Sequence, residues 1–286
     1  MDWRGRRENF RKILAGNVCV HPGSVYDPIS ARIAEDLGFE IGMFAGSVAA
    51  FTVLGSPDLV ILTLTEFAQQ AYRINRAGKL SLLVDADHGY GNALSVMRTV
   101  QELETAGVAA MTVEDTLLQR PYGDGKPALI SLEEGVGKMK AALTAREDAS
   151  FVIVGRTSAA QISGLDEAIK RGKAYEAAGV DALFFTGLKT RADLAAISSA
   201  VKIPLILGGT EGELMDKSYL GTQRVRVALQ GHQPFWAGVR AVHDALKALR
   251  DGTPAKELQG VAPNDMIRRV TRDADYASWT KDFLGG

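Results

Sequence analysis

Two carboxylates stand two residues apart where the apolar run Leu80-Ser81-Leu82-Leu83-Val84 ends in Asp85-Ala86-Asp87, ahead of a His88-Gly89-Tyr90-Gly91-Asn92 turn. A short apolar run bounded by turn residues reads as a strand buried on both faces. On a regular strand Asp85 and Asp87 project to one side, where two like charges cost free energy unless a cation stands between them. Mg2+ suits that place, because it takes oxygen ligands and is commonly held by one or two carboxylates plus water. The competing reading is a helix N-cap, but a cap needs one carboxylate and Asn92 already serves the helix that follows.

Other apolar runs end in related chemistry. The run 108–113 closes on Glu114-Asp115, the run 151–155 on Arg156, and the run 39–44 on Ala45-Gly46-Ser47. His21, Thr186, Gly208-Gly209 and His232 stand at further strand ends. Asp85, Asp87 and Glu114 facing Arg156 would make an acidic metal pocket opposite a cationic clamp. A divalent cation there could stabilise the enolate formed when a bond next to a 2-oxo group breaks, while Arg156 forks onto a substrate carboxylate. The residues point to metal-assisted chemistry on a 2-oxo acid. Each has a plainer alternative: a rim ion pair for Glu114 and Arg156, a helix cap for His232, structural roles for His21 and His88, and solvent exposure for His243. Lys189 after the sixth strand could form a Schiff base, although a surface loop is the commoner place for a lysine.

Those ends must be held by a scaffold. Apolar strands alternate with amphipathic segments along the chain; Ala93, Val96, Met97, Val100 and Leu103, for example, share one helical face. Helix end, glycine stop and strand start recur in Glu35-Asp36-Leu37-Gly38-Phe39, Glu104-Thr105-Ala106-Gly107-Val108 and Glu176-Ala177-Ala178-Gly179-Val180. About eight such strands predict an α/β fold, a (β/α)8 TIM-type barrel with its active site at the C-terminal strand ends. It reads as one domain over 1–286, with 251–286 a C-terminal helical extension. Segment 116–130, broken by Pro121, Gly123, Gly125 and Pro127, reads as a functional loop, a lid above all. Ser163 with Asp166 resembles a capping box.

Across 286 residues with formal charge −1, no electrostatic footprint for nucleic acid appears. No apolar stretch approaches the roughly 18 residues that span a bilayer. The cluster Arg4, Arg6, Arg7, Arg11, Lys12 reads as a solvated helix face. The single cysteine, Cys19, fits a reducing cytoplasm.

Asp85-Ala86-Asp87-His88-Gly89-Tyr90-Gly91, Val113-Glu114-Asp115 and Gly155-Arg156-Thr157 resemble the signature segments of the isocitrate lyase/phosphoenolpyruvate mutase superfamily, and Gly55-Ser56-Pro57-Asp58 with Leu64-Thr65 resembles its first gating segment. The resemblance runs over nearly the whole chain. It implies that Asp85 ligates Mg2+ (Mn2+ as a possible substitute) directly, that Asp87 and Glu114 hold metal-bound waters, and that Ser47, nearby backbone N–H groups and Arg156 bind substrate. It further implies a barrel whose last helix is swapped onto a partner, in a homotetrameric dimer of dimers. Lyase members carry a Lys-Lys/Arg-Cys-Gly-His loop segment whose cysteine is the general acid; here Gln119-Arg120-Pro121-Tyr122-Gly123 stands in its place. The Asn and Lys of phosphonate mutases are missing from their expected pattern, and Thr116 and Ser158 also depart from the lyase pattern. His232-Gln233-Pro234 is similar to the oxaloacetate decarboxylase branch. The resemblance therefore implies Mg-dependent decarboxylation of oxaloacetate to pyruvate and CO2, with Ser47, Arg156 and His232 on the substrate. The alternatives are phosphonopyruvate hydrolase or mutase chemistry, a substituted-malate lyase, or a non-catalytic oxo-acid-binding barrel.

Overall fold

Leu82, Leu83 and Val84 are each at most 1% exposed, as a strand covered on both faces requires. They lie in β3 of the computed structural model, which describes residues 2–119, 122–123 and 125–285. The eight strands are β1 (Gly23–Ser24), β2 (Ile41–Phe44), β3 (Ser81–Asp85), β4 (Ala110–Glu114), β5 (Val152–Thr157), β6 (Ala182–Thr186), β7 (Leu205–Gly208) and β8 (Val225–Ala228). They pair in chain order, and every pairing is parallel. Val20 forms a parallel bridge with Val227, its N–H donating to Arg226 O at 2.9 Å and its carbonyl accepting from Ala228 N–H at 3.0 Å. That bridge joins the two edges of the sheet, giving an α/β arrangement of TIM-barrel type. The strand expected at 18–21 is thus only the Val20 bridge, with pairing to β2 resuming beyond Pro22. His21 Nδ1 lies 2.7 Å from Ala228 O, a structural contact.

The chain divides into two compact units, Met1–Gly231 and His232–Gly286. In the first, the helices begin where side chains can take their orphan N–H groups. Asp27 with Ser30, Thr63 with Glu66, and Thr190 with Asp193 form reciprocal capping boxes, and Asn92 caps Leu94 and Ser95. The three repeated glycine stops, Gly38, Gly107 and Gly179, all take left-handed φ of +82°, +82° and +100°, which favours glycine at these helix ends. Helix residues such as Phe67, Val100, Leu103, Met139 and Ile197 join strand residues such as Phe44, Leu82, Met111 and Ile153 in one apolar cluster.

Several expectations need correction. Of the N-terminal basic cluster, Arg4 and Lys12 are exposed, but Arg6, Arg7 and Arg11 are not a solvated face. Arg6 donates to Asn75 O and Gly78 O, Arg7 to Val108 O, and Arg11 to Ser150 O; planar guanidinium forks here serve carbonyls ahead of the strands. The Ser163/Asp166 capping box does not form: Leu165–Ala178 starts from Gly164 with no side-chain cap, and a separate turn, Ala159–Ile162, precedes it. After β2 the chain continues as a helical turn, Gly46–Ala49, and a π-helical turn, Ala50–Leu54. The base of the 116–130 segment is a hairpin stem, with Thr116 bridged to Leu129.

The second unit holds the helix Gln233–Arg250 and two further helices, Asn264–Thr271 and Asp273–Leu284. Trp236, Val239, Val242, Leu246 and Leu249 are all exposed along the first of these. Among the described residues no helix is long and apolar enough to cross a membrane.

Candidate active site

β3 and β4 bring Asp85 and Glu114 to adjacent strand ends, and β5 adds Arg156 in register with Glu114. Arg156 Nη1 donates to Asp85 Oδ2, and its Nη2 lies 3.4 Å from Glu114 Oε2. Thr112 donates to Asp85 Oδ1 at 2.8 Å, and Thr116 to Glu114 Oε2 at 2.9 Å. The Arg156 guanidinium also lies over the Phe184 ring at 5.2 Å, a cation–π contact that helps keep a charge in a half-buried place.

Asp87 arrives differently from the regular strand the sequence suggested. The strand ends at Asp85, and Asp87 takes a left-handed φ of +47°, a conformation aspartate tolerates better than most residues. Its carbonyl accepts from Glu114 N–H at 2.8 Å, which ties the β3 turn to β4. Its carboxylate lies against Gly46: a Cβ there would come within 2.6 Å of Asp87 Oδ1 and 2.9 Å of Oδ2. Lys138, buried on the helix Leu132–Ala145, donates to His88 O at 3.0 Å and holds the same turn from behind.

The electrostatics are lopsided. Asp58, Asp85, Asp87 and Glu114 share Arg156. Burial, followed by repulsion from Asp85, Glu114 and Asp58, pushes the Asp87 carboxyl well above the usual range. Burial raises Glu114 too, although Arg156 opposes it. Asp58 is raised by partial burial and by Asp85. Burial alone would lower Arg156, but Asp85, Glu114 and Asp87 overcome it and keep the guanidinium charged. Among the described residues no trio of acidic, histidine or cysteine side chains forms a ready-made cation cage; Arg156 is instead the cation that Asp85 and Glu114 contact. The donor set is all oxygen and in excess of positive charge, so it fits a hard divalent cation.

Glu114 and Arg156 line a cavity of about 550 Å3 with Thr116, Lys126, Ser158 and Gln161. Ser47 is half-buried in the turn next to Gly46. Asp115 turns away from the pocket and pairs with Arg171 at 3.0 Å. Lys189 lines a different cavity, with Asp193 and Glu211. His88 is mostly buried, and desolvation, followed by Lys138, brings its imidazole down to about 4. His232 precedes Gln233–Arg250 as its N-cap residue and makes no side-chain cap bond to that helix; it belongs to the second unit. Within the segment expected to form a lid, Arg120 and Pro121 lie outside the described residues, and Tyr122 is fully exposed. Asp58 and Gly46 are the members that the sequence did not single out. The signal for Asp58 was the gating-segment resemblance; nothing local marked Gly46 as the wall of an aspartate.

A family model described as phosphoenolpyruvate phosphomutase matches residues 10–250. A protein of Bradyrhizobium diazoefficiens named oxaloacetate decarboxylase is 60% identical over 285 residues, covering 100% of this chain and 99% of its own. Among solved structures, a phosphoenolpyruvate phosphomutase from Streptomyces platensis subsp. rosaceus is 28% identical with a TM-score of 0.86, over 97% of this chain and 99% of its own. A phosphonopyruvate hydrolase in complex with oxalate and Mg2+ is 26% identical with a TM-score of 0.86, over 98% of this chain and 99% of its own.

Proposed function

We propose that this chain, which belongs to the phosphoenolpyruvate phosphomutase family, decarboxylates oxaloacetate to pyruvate and CO2 with the help of a divalent cation, Mg2+. The observation that carries the reading is the excess of carboxylate around Arg156 at the C-terminal ends of β3 to β5; full-length similarity to an oxaloacetate decarboxylase supports the substrate. Asp85 would ligate the cation directly, with Asp87 and Glu114 holding its waters. Such a cation, when bound, supplies positive charge against the electron pair released on C3.

The chain's own groups do the remaining work. Arg156, the guanidinium at these strand ends, would fork onto the C1 carboxylate and 2-oxo end of oxaloacetate, while Asp85 and Glu114 would face the cation. Ser47 and neighbouring N–H groups of the turn after β2 hold the same end. The C3–C4 bond then breaks, its electron pair stays on C3, and C4 leaves as CO2. A proton delivered to C3 from water completes pyruvate. His232 is assigned to the C4 carboxylate end, orienting it or relaying that proton. The cysteine-acid route of the lyases has no support here, because Cys19 is buried in the barrel and desolvation pushes its thiol up to about 11.

The same reading makes the chain a cytoplasmic homotetramer, a dimer of dimers with Gln233–Arg250 swapped onto a partner; the exposed apolar residues of that helix support the swap. The test is a panel of oxaloacetate, phosphonopyruvate, methylisocitrate and substituted malates, assayed for pyruvate, CO2 and phosphate. Oxaloacetate should be the substrate consumed. Decay no faster than with free Mg2+ would remove the decarboxylase reading, and phosphate release from phosphonopyruvate would replace it.

A further inference from the structure

Asp115 is completely buried and follows Glu114 directly. Arg171, on Leu165–Ala178, meets it there with a three-way grip. Its Nη1 donates to Asp115 Oδ2 at 3.0 Å, its Nη2 to Ile130 O at 2.9 Å, and its Nε to Glu167 Oε1 at 2.8 Å. One helical turn on, the Tyr175 hydroxyl donates to the same Asp115 oxygen at 2.6 Å. Ile130 N–H donates to Asp115 O at 2.9 Å, and Leu117 N–H to Ala128 O at 2.8 Å. One guanidinium therefore ties together both ends of the 116–130 segment. The space for this grip is cut into the neighbouring helix: a Cβ at Gly135 would lie 2.4 Å from the Tyr175 hydroxyl oxygen.

A buried ion pair adds little net stability compared with apolar packing of the same volume. What this one specifies is which two points of backbone are joined, and at what distance from Glu114. We propose that Arg171, with Asp115 and Tyr175, is a positioning residue for the reaction: it joins Asp115 to Ile130 beside the stem where Thr116 bridges Leu129, and through Asp115 it holds the neighbouring Glu114 in place. The inference rests on the reading of the site as a decarboxylase. Lysine at 171 keeps the charge opposite Asp115 but cannot reach Asp115, Glu167 and Ile130 O together.

The experiment compares wild type and Arg171→Lys as full-length enzyme with Mg2+. It measures kcat and KM for oxaloacetate, thermal midpoint, and chymotryptic nicking after the exposed Tyr122. In Arg171→Lys, KM should rise about tenfold or more, the scale of one lost charge-assisted hydrogen bond. The fall in kcat should be smaller, and nicking should accelerate well below the thermal midpoint. Unchanged KM and nicking would overturn the proposal, as would losses that only track the unfolded fraction. If Arg171→Lys does not fold, Tyr175→Phe carries the same comparison with a smaller expected acceleration. A wild type that leaves oxaloacetate alone would instead overturn the decarboxylase reading, while the nicking comparison still decides the clamp.

Discussion

Replacing Gly46 by Ala tests how tightly the acidic cluster is built. The added Cβ would sit 2.6 Å from Asp87 Oδ1, and ordinary contact begins near 3.4 Å. The carboxylate, or the turn that carries Gly46, must therefore retreat by roughly 0.8 Å. Asp87 has little freedom to do so, because its carbonyl is tied to Glu114 N–H and its backbone is already left-handed. A misplacement near 1 Å in a catalytic constellation costs about a hundredfold in rate, or about 2.7 kcal/mol of transition-state stabilisation. The local helix should be indifferent, since alanine is the better helix former. The assay is kcat/KM for oxaloacetate across a Mg2+ titration, beside the thermal midpoint. The expected result is a drop of about two orders of magnitude, a weakened Mg2+ response and a near-native midpoint. Wild-type activity and Mg2+ response in Gly46→Ala would refute the placement of Asp87 in the cation site.

Cys19 should resist thiol reagents at pH 8, since its thiol is held up at about 11; labelling should appear only with urea-induced unfolding, and rapid labelling of native enzyme would contradict its burial. Asp148 is nudged up by burial but pulled down to about 2 by hydrogen bonds from Ser150 and Arg7. A carboxyl lower in the folded than in the unfolded chain contributes stability above its unfolded value near pH 4, and that contribution fades as pH falls toward 2. Urea unfolding of metal-free enzyme should therefore show a steeper loss across that window in wild type than in Asp148→Asn, and parallel curves would remove the effect. His232→Gln should lower kcat/KM for oxaloacetate by about a hundredfold or more, the low end for a general acid–base group; an unchanged value takes His232 out of the reaction.

Chemistry was more legible in the sequence than geometry. The apolar run into Asp85 and the pairing of Glu114 with Arg156 follow from strand ends and parallel register. Arg191–Ala200 and the three glycine stops follow from local capping and left-handed turns, which are written in neighbouring residues. What stayed hidden depends on distant partners. Arg6, Arg7 and Arg11 of the first helix look solvated until carbonyls ahead of the strands, some 70 to 140 residues away, meet them. Asp87 takes a left-handed turn and not the regular strand its spacing suggests, because nothing local announces a left-handed aspartate. Asp115 reads like its neighbour Glu114, and only the fold reveals that it faces Arg171.

The central claim is that the Asp85–Asp87–Glu114 cluster holds a cation that drives loss of CO2 from oxaloacetate. Its most direct test is the rate of oxaloacetate loss above the free-Mg2+ background, for wild type and Asp85→Asn, with and without EDTA. The account predicts that wild type exceeds the background, loses that excess in EDTA and regains it with Mg2+, and that Asp85→Asn stays at background throughout. Wild-type turnover that survives EDTA, or an Asp85→Asn enzyme as fast as wild type, would contradict it.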